Sequence, residues 1–202
     1  MIGSMSESLA GHLLVATPVI GDPNFERTVV FVLGHSDEGT LGLVINRPTD
    51  VEVGESLPQW SSLTSPPSVV FVGGPVEPAG AIGLARPAPG VGVHGRAPGE
   101  WDAAWSPIPD VAAAVGLLAT IDLHADPAIS PGIESVRVYA GHAGWGPGQL
   151  EAELAEDAWI VATARPDDLW SERPDDVWGQ VLRRQAGPVS WLALQPRDPA
   201  TN

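Results

Sequence analysis

The 202-residue sequence has no cysteine and no lysine, and all ten of its basic residues are arginine. The absence of cysteine excludes disulfides, thiolate nucleophiles and zinc–thiolate sites. The absence of lysine excludes Schiff-base catalysis, Ser–Lys dyads and the phosphate-binding lysine of a P-loop. No H-E-x-x-H or G-x-S-x-G motif occurs either, so the chain contains no complete catalytic motif of these kinds.

Long apolar runs and positive charge are also scarce. No apolar stretch reaches the roughly 20 residues that span a bilayer, and residues 1–10 lack the basic and apolar regions of a signal peptide. The formal net charge of −15 repels a phosphate backbone at long range. We therefore predict a cytoplasmic protein that contacts no membrane and binds no nucleic acid directly.

The length fits one domain, on a scale of roughly 150 residues per domain. We predict a flexible N-terminus over residues 1–10, a single compact domain over 11–190 and a C-terminal tail over 191–202. Residues 86–109 contain five prolines and several glycines, which predicts a long surface excursion within the domain.

Short runs rich in valine and isoleucine predict many strands, and helices are few and come late in the chain. This mixture predicts an α+β fold with a mixed sheet. The predicted strands are 12–16, 28–33, 41–46, 68–73, 81–85 (beside 68–73), 115–123, 135–140 and 158–164, with a hairpin connection at 34–40. The predicted helices are 55–63, about 147–156 and 174–184, with a helical turn near 126–130.

The segment His142–Leu154, HAGWGPGQLEAEL, joins a glycine-rich turn to a predicted helix, as phosphate-binding loops do. Two features oppose phosphate binding. Pro147 at the first helical position would remove a backbone donor, and Glu151 and Glu153 would repel an anion at the helix N-terminus. We therefore interpret the segment as a packing turn, with a role in binding a small ligand left open.

Two further patterns could hold a ligand, and each has a simpler interpretation. Residues 90–95, GVGVHG, match the dinucleotide-binding pattern, but no strand precedes them and no helix follows. Asp122, His124 and Asp126 would share one face of a strand and could ligate a divalent ion, but a solvated strand end with a turn before Pro127 explains them better. We predict no cofactor and no metal site.

His35 lies with Asp37 and Glu38 in the predicted hairpin connection. A polar turn is the favoured interpretation, and a general base with an acidic partner is the alternative. If His35 is a base, a hydroxyl or carboxylate should lie beside it in a pocket.

Three strand-end loops form the candidate binding patch. Pro48 extends the chain at Arg47, and an arginine at a strand end can anchor an anion or carboxylate, or form a structural salt bridge. Gly73 and Gly74 permit close backbone approach. Because ligands favour the carboxyl ends of strands, we group these loops with the turn at 144–151. The predicted patch is Asn46, Arg47, Pro48, Gly73, Gly74, Trp145, Gln149 and Glu151, with an unknown protein or small molecule as partner.

Three stretches together resemble the YqgE/AlgH family of bacterial proteins. They are GHLLVATPVIGDPNFERTVVFVLGHSDEGTLGLVINRP from Gly11, VVFVGGPVEP from Val69 and AGHAGWGPGQLEAELAEDAWI from Ala140. The terminal DVWGQVLRR is similar to the end of the family pattern as well, so the resemblance extends to Arg184. His142 departs from the pattern, which usually has an aromatic residue there.

The resemblance implies one compact α+β domain with a small closed β-barrel and flanking helices. Members of the family are described as transcriptional regulators, and the resemblance implies no biochemical activity. The sequence itself shows no basic recognition helix. We therefore predict a non-enzymatic regulatory or binding protein that acts indirectly, and the alternative is a hydrolase-like enzyme that uses His35 with an acidic partner.

Overall fold

The structure, a computed structural model, describes residues 8–89, 105–129 and 132–195. The strands are β1 (His12–Ala16), β2 (Val29–Ser36), β3 (Gly39–Val44), β4 (Pro48–Glu52), β5 (Val69–Val72), β6 (Val76–Pro87), β7 (Trp105–Pro107), β8 (Ala119–Ile121), β9 (Ile133–Trp145) and β10 (Trp159–Thr163). The α-helices are α1 (Val53–Ser56), α2 (Ala112–Val115), α3 (Gln149–Ala155), α4 (Pro166–Leu169) and α5 (Val177–Arg183). None of the described helices is long and apolar enough to cross a membrane.

The strands form one curled sheet in the order β10-β1-β2-β3-β9-β6-β8-β7. Outside this path, β5 pairs with both β9 and β4. Neighbours along this path pair antiparallel, whereas β5 and β9 pair parallel. The predicted α+β fold with a mixed sheet is therefore confirmed.

The predicted closed β-barrel is wrong, because the sheet forms an open half-barrel. In the described part of the chain, β10 pairs only with β1 and β7 only with β8, so the two ends of the sheet do not meet. The physical reason lies in β9. Strand β6 pairs with residues 133–140 of β9 and again with His142, whereas β5 pairs with residues 138–140 and β3 with residues 143–145. Gly141, with a left-handed φ of +66°, stands between the residues that pair with β5 and those that pair with β3.

Strand β1 and most of β2 and β3 are buried on both faces, because their side chains alternate between two cores. Leu13 and Phe31 face the main core, where α5 packs its apolar side chains. Leu14 and Val30 face a second core, which contains Trp145. Burial on both faces explains why these runs are almost wholly apolar instead of alternating with polar residues.

The strand predictions for the N-terminal third agree well with the structure. Strand β1 has the predicted bounds, and β2 and β3 extend into 34–40, so that only Asp37 and Glu38 form the turn. The predicted pairing of 81–85 beside 68–73 is wrong, since β9 lies between β5 and β6.

The predicted strand 115–123 is mostly not a strand. Helix α2 occupies the alanine-rich stretch before it, because alanine favours helix, and Gly116 ends this helix with a left-handed φ of +77°. Only Ala119–Ile121 pairs as a strand.

The predicted helix start at Pro147 is also wrong. Strand β9 continues to Trp145 by pairing with β3, and α3 begins at Gln149. Gly148 is the N-cap with φ of +73°, a conformation that glycine adopts without strain. Pro147 therefore lies before the helix and removes no donor from its first turn.

The predicted excursion and tails are partly strands and turns. Strand β6 ends at Pro87 and β7 begins at Trp105, whereas the GVGVHG pattern lies outside the described residues. At the C-terminus, a 3-10 turn covers Gly187–Leu194 and packs Leu192 against the main core.

Candidate binding site

The loop at residues 17–27, TPVIGDPNFER, links β1 to β2 and is fixed by aromatic packing. The Phe25 ring lies against two indoles, with centroids 6.1 Å from Trp145 and 5.3 Å from Trp159. This contact anchors the loop to the second core.

Arg27 ends the loop with φ of +53°, which non-glycine residues rarely adopt. Asn46 holds it there: the Asn46 Nδ2 donates to the Arg27 carbonyl at 2.9 Å, and its Oδ1 accepts from the Val29 N–H at 2.8 Å. The Arg27 guanidinium carbon lies 4.0 Å from the centroid of the Trp178 ring, and Nη1 donates to the Gln195 carbonyl at 3.1 Å. A strained residue that its neighbours hold in place is typical of a functional site.

Two chambers, which we call the loop cleft, share Glu26, Arg27 and Trp178. The first has a volume of about 430 Å³, and its apolar walls include Ala16, Pro18, Ile20 and Pro23. The second has a volume of about 390 Å³, and its polar walls include Asn46, Arg47, Asp175, Asp176 and Arg183. The loop cleft therefore joins an apolar space to a polar one.

Arg47 lies between the loop cleft and a third cavity. Its Nη2 donates to the carbonyls of Pro23 at 3.0 Å and Glu26 at 3.2 Å, so the guanidinium is tied to the loop. The third cavity, which we call the Arg47 pocket, has a volume of about 310 Å³ and is lined by Asn24, Val44, Arg47, Val72, Gly74, Pro75 and Pro78.

Pro48 and Gly73 of the predicted patch pack within the sheet. Pro48 begins β4 and lies opposite Phe71 of β5. The Gly73 N–H donates to the Ala140 carbonyl at 2.7 Å, and a Cβ on Gly73 would lie 2.3 Å from the Gly141 carbonyl oxygen. The close approach that Gly73 permits is therefore an approach to β9.

Side-chain hydrogen bonds hold the glycine-rich turn before α3. Glu153 Oε2 accepts from the indole N–H groups of Trp145 at 2.9 Å and Trp159 at 2.7 Å, and Oε1 accepts from Gln149 Nε2 at 2.9 Å. Gln149 Oε1 in turn accepts from the Gly146 N–H at 3.1 Å. These internal hydrogen bonds support the interpretation of the segment as a packing turn.

His35 contacts both a hydroxyl and a carboxylate. Its Nδ1 lies 2.8 Å from Thr40 Oγ1, and its Nε2 lies 3.5 Å from Glu151 Oε1. The His35 side chain is only 4% exposed, whereas that of Glu151 is 49% exposed. His35, Thr40 and Trp145 line a broad, open cavity of about 480 Å³. The predicted patch residue Glu151 is therefore next to His35.

The structure divides the predicted patch into two groups. The group at the loop cleft and the Arg47 pocket contains Asn46, Arg47 and Gly74, and the group around α3 contains Trp145, Gln149 and Glu151. Neither Arg47 nor Gln149 lines a cavity with the other among those described above. Phe25, which packs against Trp145, connects the two groups.

The sequence analysis missed Arg27 and Trp178 as candidate site residues. Nothing in the local sequence selects Arg27. Trp178 lies 162 residues after Ala16 in the sequence, but its indole N–H donates to the Ala16 carbonyl at 2.9 Å. Only the tertiary structure shows that the loop at 17–27 borders the loop cleft.

The acidic residues after β8 form turns. Asp122 accepts from the His124 N–H at 2.9 Å, and Asp126 accepts from the Ala128 N–H at 2.9 Å. Over residues 8–89, 105–129 and 132–195, no group of three or more His, Asp or Glu side chains is placed to hold a metal ion.

Arg137 and Tyr139 are buried on β9 and line none of these cavities. The Arg137 guanidinium donates to the carbonyls of Leu169 at 2.7 Å, Pro66 at 2.7 Å and Ser171 at 3.0 Å. Burial lowers the pKa of Arg137. Burial raises the pKa of Tyr139 from 10.0 to about 12, and the Arg137 charge opposes this shift. The Arg137 hydrogen bonds tie β9 to the segments at Pro66 and at 169–171.

A family model described as AlgH-like matches residues 13–190. The chain belongs to the AlgH-like family. A UPF0301 protein of Streptomyces coelicolor is 48% identical to this AlgH-like chain over 196 residues, which are 96% of each chain. A UPF0301 protein of Mycobacteroides abscessus is 41% identical over 194 residues, which cover 96% of this chain and 88% of the relative. The resemblance inferred from the sequence is therefore confirmed.

Two solved structures share the fold of this AlgH-like protein. The crystal structure of a Corynebacterium diphtheriae protein matches with a TM-score of 0.77 and 31% identity over 93% of each chain. The solution structure of the AlgH protein from Pseudomonas aeruginosa matches with a TM-score of 0.62 and 30% identity, over 98% of this chain and 100% of the other. Both support the α+β fold, and the AlgH structure supports the open half-barrel.

Proposed function

We propose that this AlgH-like protein is a non-enzymatic cytoplasmic protein that binds a small molecule in the loop cleft and regulates other proteins indirectly. One observation carries the proposal: an apolar chamber adjoins a polar one at a guanidinium held over an indole ring. Their volumes, about 430 and 390 Å³, lie in the range of small-molecule pockets.

The cleft suits an amphipathic ligand. Pro18 and Ile20 would contact its apolar body in the first chamber, and Arg27 would bind a polar group at the junction. The second chamber carries charges of both signs, since Arg183 and Asp175 both line it. The acidic residues there argue against a nucleic-acid backbone as the ligand.

The test uses anilinonaphthalene sulfonate, which has an aromatic body and one anionic group. We expect its fluorescence to rise on binding and the indole N–H signal of Trp178 to shift in nitrogen–proton spectra. A Trp178→Phe variant assigns that signal. Binding that shifts other indole signals and leaves the Trp178 signal in place would contradict the proposal.

An arginine pair provides the matched control. Arg27→Gln should weaken binding about tenfold, because it removes a charge-assisted hydrogen bond at the chamber junction. Arg86 also lies over an indole, 5.1 Å from the Trp170 centroid, but it lines neither chamber. Arg86→Gln should therefore bind like the wild type, and equal affinities for the two variants would reject the loop cleft as the site.

We infer a second candidate function, a hydrolase, from the contacts of His35. If the neutral imidazole presents Nε2–H to Glu151, its Nδ1 is free to accept the Thr40 hydroxyl proton. Thr40 Oγ would attack an ester carbonyl carbon and give its proton to His35. The bond to the alcohol would break and the alcohol would leave with that proton. Water would then hydrolyse the acyl-threonine to the carboxylic acid.

The hydrolase candidate is tested with p-nitrophenyl acetate. Thr40→Val keeps the side-chain shape and should abolish both turnover and an acetyl adduct in the mass spectrum. Ser36→Ala removes another hydroxyl from the same cavity and should leave both unchanged. Turnover by Thr40→Val at the wild-type rate would exclude this mechanism.

A further inference from the structure

The Arg47 pocket differs from the loop cleft in its charge. Val72, Pro75 and Pro78 form apolar walls, Asn24 is polar and uncharged, and Arg47 is the only charged residue in the lining. The polar chamber of the loop cleft, in contrast, contains carboxylates. In a chain with 25 acidic residues, this lining contains an arginine and no carboxylate. The same arginine also lines the second chamber of the loop cleft, where Asp175 and Asp176 lie.

The Arg47 guanidinium is positioned for a ligand. Its Nη2 is held by the carbonyls of Pro23 and Glu26, whereas Nη1 and Nε have no hydrogen-bond partner among the residues that the structure describes. Because the loop already restrains the side chain, binding an anion would lose little conformational entropy.

The floor of the pocket is rigid backbone. Gly74 has φ of +152°, and a Cβ there would lie 2.3 Å from the backbone of His142 on β9. The Val72 N–H donates to the Arg47 carbonyl at 2.8 Å, so the apolar wall and the arginine are fixed relative to each other.

We propose that the Arg47 pocket binds a small carboxylate that has a short apolar body. The carboxylate accepts charge-assisted hydrogen bonds from Arg47, and the apolar body contacts Val72 and the prolines. The volume of about 310 Å³ suits a ligand of few atoms. This site does not depend on the proposed function, since Arg47 is the one residue that its lining shares with the loop cleft.

The probe is isovalerate, and its neutral isostere isovaleramide is the control. On titration with isovalerate, we expect shifts of the Arg47 Nε–H and the Val72 methyl signals, with at least about tenfold weaker binding of isovaleramide. Equal binding of the two compounds would overturn the proposal. So would isovalerate shifts at the Trp178 indole without shifts at Val72, because they would place the carboxylate in the loop cleft.

Two substitutions of nearly equal size separate charge from shape. Val72 is 39% exposed on β5, so a longer polar side chain can be accommodated there. Val72→Glu should abolish isovalerate binding by repulsion, whereas Val72→Gln should retain part of it. Both variants should still bind anilinonaphthalene sulfonate in the loop cleft, which keeps this test separate from that of the proposed function. Equal isovalerate affinities for the two variants would show that Arg47 does not select a carboxylate.

Discussion

The loop at 17–27 and the segment His142–Leu154 meet at the same aromatic cluster, but they use their polar groups differently. In His142–Leu154, Glu153 accepts three side-chain hydrogen bonds, so its polar groups are engaged within the protein. In the other region, Arg27 lines the loop cleft, and Arg47, which donates to two carbonyls of the loop, lines the loop cleft and the Arg47 pocket. The more distinctive sequence therefore builds a structural corner, and the plainer one borders the two chambers of the loop cleft.

The largest effect should come from Glu153. Glu153→Ala leaves two buried indole N–H groups without their acceptor, and we expect the free energy of unfolding to fall by about 3 kcal/mol. Glu156→Ala, at the exposed C-cap of α3, should change it by less than about 0.5 kcal/mol. Urea unfolding measures both, and similar values for the two variants would contradict a structural role for Glu153.

Substitution of Asn46, which lines the loop cleft, should have the next largest effect on stability. Asn46→Ala leaves the Val29 N–H unpaired and releases the Arg27 carbonyl, which should cost about 2 kcal/mol of stability. It should also weaken binding of anilinonaphthalene sulfonate, because Arg27 is no longer held in its strained conformation. The exposed Asn24→Ala variant is the control for stability, and wild-type binding by Asn46→Ala would separate Asn46 from the site.

Tyr139 lies in the core, outside both regions, and its ionisation provides a stability effect with which theirs can be compared. Its pKa is raised to about 12 in the folded protein, so the unfolded chain loses the phenol proton first as pH rises above 10.0. Stability should therefore fall by about 1.4 kcal/mol per pH unit between these values and level off above them. Tyr139→Phe should remove this slope.

The same residue can be observed directly. Tyr139 is the single tyrosine of the chain, so phenolate absorbance reports its titration without assignment. We expect a midpoint near 12 in the native protein and near 10.0 in denaturant. A native midpoint near 10.0 would contradict the burial of the hydroxyl.

Gln149 should have the smallest effect. Gln149→Ala removes two hydrogen bonds on an exposed part of the turn, where water can replace them, and should cost at most about 1 kcal/mol. It should leave probe binding in the loop cleft unchanged. A loss of probe binding comparable to that of Arg27→Gln would place the ligand at α3 instead.

The strands and the family were predictable because their signals are local. Apolar runs such as 12–16 and 28–33 carry the pattern of buried strands. The open barrel was not predictable, since it depends on how β9 pairs first with β5 and then with β3. Arg47 lies between β3 and β4, so its place at a strand end follows from the local sequence. The contact of Arg27 with Trp178 does not, because it joins segments that are distant in the sequence.

The most direct measurement compares the affinity for anilinonaphthalene sulfonate of two variants, one from each region. We predict that Arg27→Gln binds about tenfold more weakly than the wild type, whereas Gln149→Ala binds equally well. The reverse result, with weaker binding only in Gln149→Ala, would show that the ligand-binding surface lies at the segment His142–Leu154.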